Sequence, residues 1–346
     1  MGIVLSDNIK AKSSTTCLIH LVEYVRVSAG TAIVLGIEKG PKQNHFTTAF
    51  LMTYSEEGCS ANCAFCPQAV SSDSDHRFLS RIGWPLVSFE DVESKISGID
   101  SLKRICIQTL NYPNVVIDTI EIVQRIRRVS SIPISTCIHP IDIDQMKQLK
   151  NAGINNIGIA IDACNAELFD SIKGVSRNGP YTWSGHMKAI EEAQGVFGKS
   201  QVTTHLIVGL GENESQVSEF LFIMNEMGVR VGLFAFTSIK GTALEKRKQP
   251  HLAKYRRIQI LRELIARKLI TRSQMSINEQ GEIEFNIGSD FLRETLSSGT
   301  AFRVTGCAGC NRPYYNERPR GPMYNYPRPL EKDEVERAFK EAGLVI

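Results

Sequence analysis

Six stretches in series each pair a short apolar strand with a following helix, and thiol- and carboxylate-bearing residues fall near the ends of those strands. Strand–helix units repeated in this way give parallel strands joined by crossover helices. Closed or nearly closed, they form an α/β fold, a TIM-like parallel β/α barrel, partial or full, whose sites gather at the C-terminal ends of the strands. An open doubly wound sheet is the runner-up architecture. The 346 residues suffice for one such unit with appendages. The texture divides into an N-terminal helical extension (1–45), the barrel (46–300) and a Pro/Arg/Tyr-rich C-terminal tail with a last helix (301–346).

In the extension, Leu18, Leu21, Val22 and Val25 recur at helical spacing and predict a helix packed on the barrel. Cys17 is isolated there and reads as structural. The polar opening, Met1 to Ser14, lacks the apolar core of a secretory signal. Leu18 to Ile37 is interrupted by Glu23 and Arg26, so it is not expected to span a membrane.

The first barrel strand, Thr47 to Tyr54, delivers its end into a cysteine-bearing loop. Ser88-Phe89-Glu90-Asp91 has a cap-like start, predicting a helix to about Ile99. Strands follow at Arg104 to Leu110, Ile132 to Ile138, Asn156 to Asp162, Gln201 to Val208 and Arg230 to Thr237. Between them lie helices at Val115 to Val129, Asp142 to Ala152 (stopped by Gly153), Ala166 to Ile172, Trp183 to Gln194, and Glu214 to Met227 (ended by Gly228). A long basic helix is expected from about Lys254 to Lys268. The tail, Ala301 to Leu330, is too rich in Pro for regular structure, and an amphipathic helix closes the chain from Glu331 to Ala342.

Charged residues at 22 % and hydrophobic ones at 42 % are ordinary for a soluble globular protein. A net charge of +3 is too small to argue for nucleic acid. Nine cysteines without a signal segment point to a reducing cytoplasm, where thiols serve metals and cores.

The stretch Gly58 to Pro67 carries the chemistry. Cys59, Cys63 and Cys66, spaced C-x3-C-x2-C, fit on one loop around a small polynuclear metal site. A four-iron cube wants four ligands, and three thiolates leave one iron open. The alternatives are a zinc site lacking its fourth ligand, or free thiols in a loop.

This spacing, with Phe65 just before the third Cys, resembles the signature of the radical S-adenosylmethionine (SAM) enzymes. The resemblance implies a [4Fe-4S] cluster whose open iron binds SAM, and reductive cleavage of SAM to a 5′-deoxyadenosyl radical. Within that superfamily, residues 46–270 resemble biotin synthase and its relatives. Ile207-Val208-Gly209-Leu210-Gly211-Glu212 is similar to their turn beside the adenine, which implies that Ile207, Val208 and Phe65 bind SAM. Asp162 matches a carboxylate on the ribose; read from the residues, it could equally cap the next helix. His186 stands where biotin synthases carry an arginine on the SAM carboxylate, a departure that weakens or moves that role; a surface His is the alternative. Gly241-Thr242-Ala243-Leu244 resembles a further family element.

Biotin synthases also hold a sulfur-donating auxiliary cluster with three Cys and one Arg. Cys106 and Cys137 match two of them, Thr203 stands at the third, and nothing matches the Arg. A new pair, Cys307 and Cys310, offers two more thiols. An auxiliary iron–sulfur cluster held by Cys106, Cys137, Cys307 and Cys310 is expected, with the tail folding over the barrel mouth. Buried core thiols, a separate zinc knuckle, and Cys164 as a substitute ligand are the alternatives. The tail on this barrel resembles one component of the archaeal two-protein lipoyl synthase. That implies sulfur insertion into an octanoyl chain on a lysine of a lipoyl carrier domain, with a sister radical SAM protein and an electron donor as partners. A mutase or methylornithine-synthase-like enzyme without a second cluster is the rival within the superfamily. A zinc-binding interaction module is the rival outside it.

Overall fold

A computed structural model describes residues 21–41, 45–317 and 320–344. Cys17, Leu18 and Arg318 lie outside the described residues.

The first described element is a strand, β1 (Tyr24–Val27), which turns through Ser28 into α1 (Ala29–Val34). The helix expected across Leu18 to Val25 is therefore not what its described part forms. Val25 and Val27 are fully buried, with half-buried Arg26 between them. That period of two follows from antiparallel pairing on both sides, Arg26 opposite Met52 and Tyr24 opposite Ser88. Two rows of backbone partners outweigh a short apolar pattern of helical period.

Next come β2 (Thr48–Met52), the cysteine loop, a hairpin of β3 (Phe78–Leu79) and β4 (Ile82–Gly83), and β5 (Leu86–Ser88). Strand and helix then alternate through α2 (Phe89–Ile96), β6 (Arg104–Gln108), α3 (Val115–Val129), β7 (Ile134–Cys137), α4 (Ile143–Ala152) and β8 (Asn156–Gly158). They continue as α5 (Ala166–Lys173), α6 (Trp183–Phe197), β9 (Val202–Val208), α7 (Glu214–Glu226), β10 (Arg230–Ala235) and α8 (Leu252–Ala266). Local sequence sets the boundaries. Asp142 and Asn213 form capping boxes with Gln145 and Gln216, and Gly153 ends α4 in the left-handed conformation.

One sheet results, in the order β10-β9-β8-β7-β6-β2-β1-β5. From β2 to β10 the strands are parallel and follow chain order without the reversal that marks a doubly wound sheet. β1 and β5 extend the β2 edge antiparallel. The fold is the partial form of the expected TIM-like barrel.

The remaining chain holds β11 (Met275–Ile277), β12 (Ile283–Phe285), α9 (Ser289–Leu296) and α10 (Lys332–Glu341). Two central cations of the basic helix α8 turn inward. Arg256 is fully buried, donates to Tyr324 O at 2.8 Å and pairs with Glu341 at 2.9 Å. Arg257 pairs with Glu214 at 2.5 Å. Arg256 thus braces the tail against the barrel.

The Cys307–Cys310 turn of the tail meets the barrel at an end other than the one expected. Gly309 O accepts from the Thr47 and Thr48 hydroxyls at 3.0 and 3.1 Å, Ala308 O from Arg104 Nε at 2.7 Å, and Gly306 O from Arg230 Nη1 at 3.3 Å. Thr48, Arg104 and Arg230 are the first residues of β2, β6 and β10. The Cys307–Cys310 turn therefore enters from the N-terminal end of the strands. The edge of β10 offers it unpaired groups, and Leu233 N–H donates to Thr305 Oγ1 at 3.1 Å.

Candidate active site

The barrel encloses a chamber of about 260 Å³ lined by Cys59, Cys63 and Cys66 and also by Cys106, Cys137, Cys307 and Cys310. The three loop thiols form its upper part, because the loop leaves the C-terminal end of β2. Backbone contacts fix that loop on three sides. Ala64 N–H donates to Ile172 O at 2.8 Å, Leu244 N–H to Ala64 O at 3.2 Å, and Ser60 N–H to Asn111 O at 2.8 Å. Asn111 N–H in turn donates to Cys59 Sγ at 3.3 Å. Gly241, in the element singled out by sequence, has φ +84° and leaves no room for a Cβ, which would lie 2.6 Å from Ser74 N. Its carbonyl accepts from Asp73 N–H at 2.9 Å, so glycine there lets the two loops touch.

Asp162 lies beyond the end of β8 with φ 69°, a left-handed conformation unusual for a non-glycine residue. Its backbone bridges to β9: Asp162 N–H donates to His205 O and Ile207 N–H to Asp162 O, both at 2.9 Å. The capping alternative falls, since Asn165 caps α5 by accepting from Leu168 N–H. The Asp162 carboxylate instead meets a residue that the sequence reading missed. Lys173, the last residue of α5, is buried, with its Nζ 2.8 Å from Asp162 Oδ2 and 2.7 Å from Ala160 O. Burial pushes the Lys173 ammonium toward neutrality, but Asp162 and Cys63 outweigh it and raise its pKa.

His186 is not a surface residue: it is 1 % exposed and lines the chamber. Its ring lies edge-on to Phe169 and Tyr181, at centroid separations of 4.8 and 5.2 Å. Burial first, and Lys173 second, lower its pKa to about 2. It is a neutral wall residue, and the cation at this level of the chamber is Lys173.

Phe65 and Ile207 pack in one apolar cluster with Leu210 and Phe236, and both face the chamber. Val208 does not. Successive residues of a strand face opposite ways, and Val208 is fully buried in the main core behind the wall. The glycine turn after β9 is occupied by its own side chain. Glu212 accepts from the amides of Gly209, Leu210 and Gly211 at 2.8, 2.9 and 3.1 Å, and pairs with Lys254 at 2.8 Å. The turn's amides thus serve the passage from β9 to α7.

The lower part of the chamber holds the other four cysteines. Cys106 sits in the middle of β6 rather than at its end, and Cys137 closes β7. Ser135 Oγ donates to Cys307 Sγ at 3.4 Å. Arg312 Nη1 lies 3.6 Å from Cys310 Sγ, with its guanidinium 4.2 Å from the centre of the Phe234 ring. Along β9 the inward stripe is Thr203, His205 and Ile207, from the lower thiols to the upper ones. His205 Nδ1 is 4.0 Å from Cys137 Sγ. Arg312 and His205 were also missed. The signal for His205 was its place on the same face as Thr203; for Arg312 it was adjacency to a C-x2-C pair. Cys164 is buried in the core and is not among the residues lining the chamber, so the structure does not bring it to the quartet.

The donor chemistry tests the fit of a metal group. Burial raises the Cys106 pKa well above the usual thiol range, and Cys310, Cys307 and Cys137 raise it further. Burial likewise lifts Cys63 to about 11 and Cys137 to about 12. Crowded buried thiols ionise only when a cation compensates them, which is what binding a metal group does. Among the described residues no three His, Cys, Asp or Glu side chains are grouped to hold a single metal ion. A polynuclear iron–sulfur cluster spreads its thiolates more widely, and both cysteine sets suit one in donor type. No helix of the described residues is long and apolar enough to cross a membrane.

Residues 55–223 match the family model described as the radical SAM superfamily. The chain is 22 % identical over 184 residues to a biotin synthase of Saccharopolyspora erythraea, covering 52 % of this chain and 48 % of that one. It is 24 % identical over 230 residues to the mitochondrial biotin synthase of Saccharomyces cerevisiae, covering 64 % and 58 %. The chain thus spans about half the length of the curated relatives it matches. In fold it is similar to methylornithine synthase, with a TM-score of 0.50, 16 % identity and coverage of 69 % of this chain and 67 % of that one. The [FeFe]-hydrogenase maturase HydG gives 0.50 and 13 %, covering 68 % and 54 %. Residues 55–223, from the cysteine loop into α7, belong to the radical SAM superfamily.

Proposed function

We propose that this radical SAM enzyme inserts sulfur at an unactivated carbon, as one component of a two-protein lipoyl synthase acting on an octanoyl-lysyl arm of a lipoyl carrier domain. The observation that carries this reading is the second set of four thiols, which shares one chamber with the signature cysteines. A radical rearrangement does not require it, whereas sulfur insertion needs a source of sulfide. The similarity to biotin synthases supports the same class.

Cys59, Cys63 and Cys66 would hold the cluster that takes SAM, and Cys106, Cys137, Cys307 and Cys310 an auxiliary cluster. When bound, the first cluster and SAM would, with one electron from an external donor, supply the oxidant that removes a hydrogen atom from a C–H bond, and the second would supply the sulfide, its iron taking up the electron released as the C–S bond forms. The chain's own residues do the rest. Phe65 and Ile207 offer an apolar face for the adenine. Asp162 offers a carboxylate for the ribose, held by Lys173. His186, neutral, shapes the wall between Phe169 and Tyr181. Phe50, Met52, Phe234 and Phe236 give the chamber apolar walls that suit an alkyl chain and keep water from a carbon radical. A sister radical SAM protein would form the other C–S bond, and an external donor would supply electrons.

The test is isotopic. Protein reconstituted with heavy sulfide and given SAM, reductant and an octanoyl-lysyl peptide is expected to return a thiolated peptide carrying the heavy sulfur. SAM cleavage with hydrogen taken from the octanoyl chain, but no sulfur in the peptide, would contradict the reading.

A further inference from the structure

The chamber is closed on most sides by backbone. The sheet forms its walls, and the carbonyls of Gly306, Ala308 and Gly309 tie the tail to the strand starts below. Thr305 seals the lower edge of β10, and Arg303 bridges to Tyr326. Above, the cysteine loop is pinned to Ile172 and Leu244, while Asn111 Nδ2 donates to Tyr181 Oη at 3.0 Å.

One stretch of wall is built differently. High on the open side of the barrel, between β10 and the hairpin β3–β4, the lining passes from Leu79 and Ser80 to Tyr315 and Asn316. The contacts described across this line run from side chain to backbone. Ser80 Oγ donates to Tyr315 O at 3.4 Å, and the Arg81 guanidinium donates to Glu317 O. Each edge is anchored on its own. Gln68 Nε2 donates to His76 O and Phe78 O, both at 2.7 Å, and holds the hairpin. The buried Glu317 carboxylate accepts from Asn316 N–H and Asn325 N–H at 3.1 and 2.8 Å, and holds the tail. Two long hydrogen bonds to Asn316 O, from Thr237 and Gln249 at 3.4 Å each, join the tail edge to the chain after β10. Both edges carry a non-glycine residue in the left-handed region, Ser80 at φ 52° and Tyr314 at φ 58°. For a bulky residue such as tyrosine that conformation is strained, and strain of this kind gathers at ligand clamps. Each edge also presents an exposed aromatic ring, Phe78 and Tyr314, each 37 % exposed.

We infer that the seam between residues 78–81 and 314–317 is the access route of the substrate, and that the substrate is a slender acyl arm tethered to a bulky carrier. This rests on the sulfur-insertion reading above. A line of side-chain contacts between two separately anchored edges opens without disturbing either one. It admits an unbranched chain sideways while SAM occupies the upper part of the chamber. Phe78 and Tyr314 remain outside to receive the apolar start of the arm, and the carrier never enters.

Photo-crosslinking tests this directly. The probe is an octanoyl-lysyl peptide with a diazirine residue next to the lysine, added to the iron-reconstituted full chain with SAM and no reductant. Peptide mapping is expected to place the label on residues 77–81 and 314–317. Excess octanoyl-lysyl peptide should compete it away, and the peptide with an unacylated lysine should not. Competed labelling in the surface groove near Pro113, Ile143 and Lys188, or elsewhere away from the seam, would overturn the route and leave the acyl substrate standing. Absence of any competed label would overturn both.

Discussion

Exchange of Lys173 for Met removes an ammonium 2.8 Å from the buried Asp162 carboxylate. Losing one partner of a buried pair costs about 3 kcal/mol or more, and the metal-free protein should lose stability on that scale in urea. SAM binding by the reconstituted protein should weaken at least about tenfold, a loss near 1.4 kcal/mol. Adding Asp162→Asn should return the stability without returning SAM affinity; recovery of both would show the pair to be structural only. His186 makes a second test at this scale. Its folded pKa of about 2 lies below the ordinary 6.5, so the unfolded chain takes up the proton first. Stability is then fully present above about pH 6.5 and falls as pH drops, by about 1.4 kcal/mol per unit for one such group. His139 and His205, both lowered to about 4 mainly by burial, add to the fall. His186→Phe should reduce the slope of metal-free stability between pH 6 and 4.5 by one proton's worth; an unchanged slope would contradict its burial as a neutral ring. The position was legible in principle: His186, Ala189, Ile190 and Ala193 form one buried helical stripe. Lys173 was not, because its partner is eleven residues away across a turn that no local pattern encodes.

Elements were more legible than residues where ligands or boundaries are contiguous. The cysteine loop puts three thiols within eight positions, so spacing alone identified it, and the strand–helix units were read from short apolar runs and caps such as Asp142 and Asn213. β1 was misread because its pattern is short, and its partners, Met52 and Ser88, come from distant segments. Val208 was assigned to the site with Ile207, although strand alternation sends neighbouring side chains apart. Two glycine exchanges separate loop geometry from helix propensity. Gly241→Ala places a Cβ 2.6 Å from Ser74 N in a left-handed backbone, and should cost about 1–3 kcal/mol and lower iron retention in the cysteine loop. Gly195→Ala, on the exposed side of α6 with nothing within 4 Å of the new Cβ, should stabilise by about 0.5–1 kcal/mol and leave iron content unchanged. Calorimetry and iron assay on both variants check the contrast, and equal effects would refute it.

At the scale of the molecule, the tail makes the barrel a two-level chamber. The sequence pairs Cys307 with Cys310, and it singles out Cys106 and Cys137, but it does not say from which end the tail arrives. That depends on long-range contacts, Thr47, Thr48 and Arg104 holding the carbonyls of Gly309 and Ala308, which have no local signature. Entering from the strand starts places the tail thiols below and keeps the C-terminal ends free for SAM. The most direct measurement is iron and sulfide content with Mössbauer spectra, on the anaerobically reconstituted protein and on its Cys307→Ala/Cys310→Ala variant. Two clusters predict about eight irons per chain, falling to about four in the variant, whose remaining cluster still changes spectrum on adding SAM. About four irons in the unaltered protein, or about eight persisting in the variant, would contradict the account.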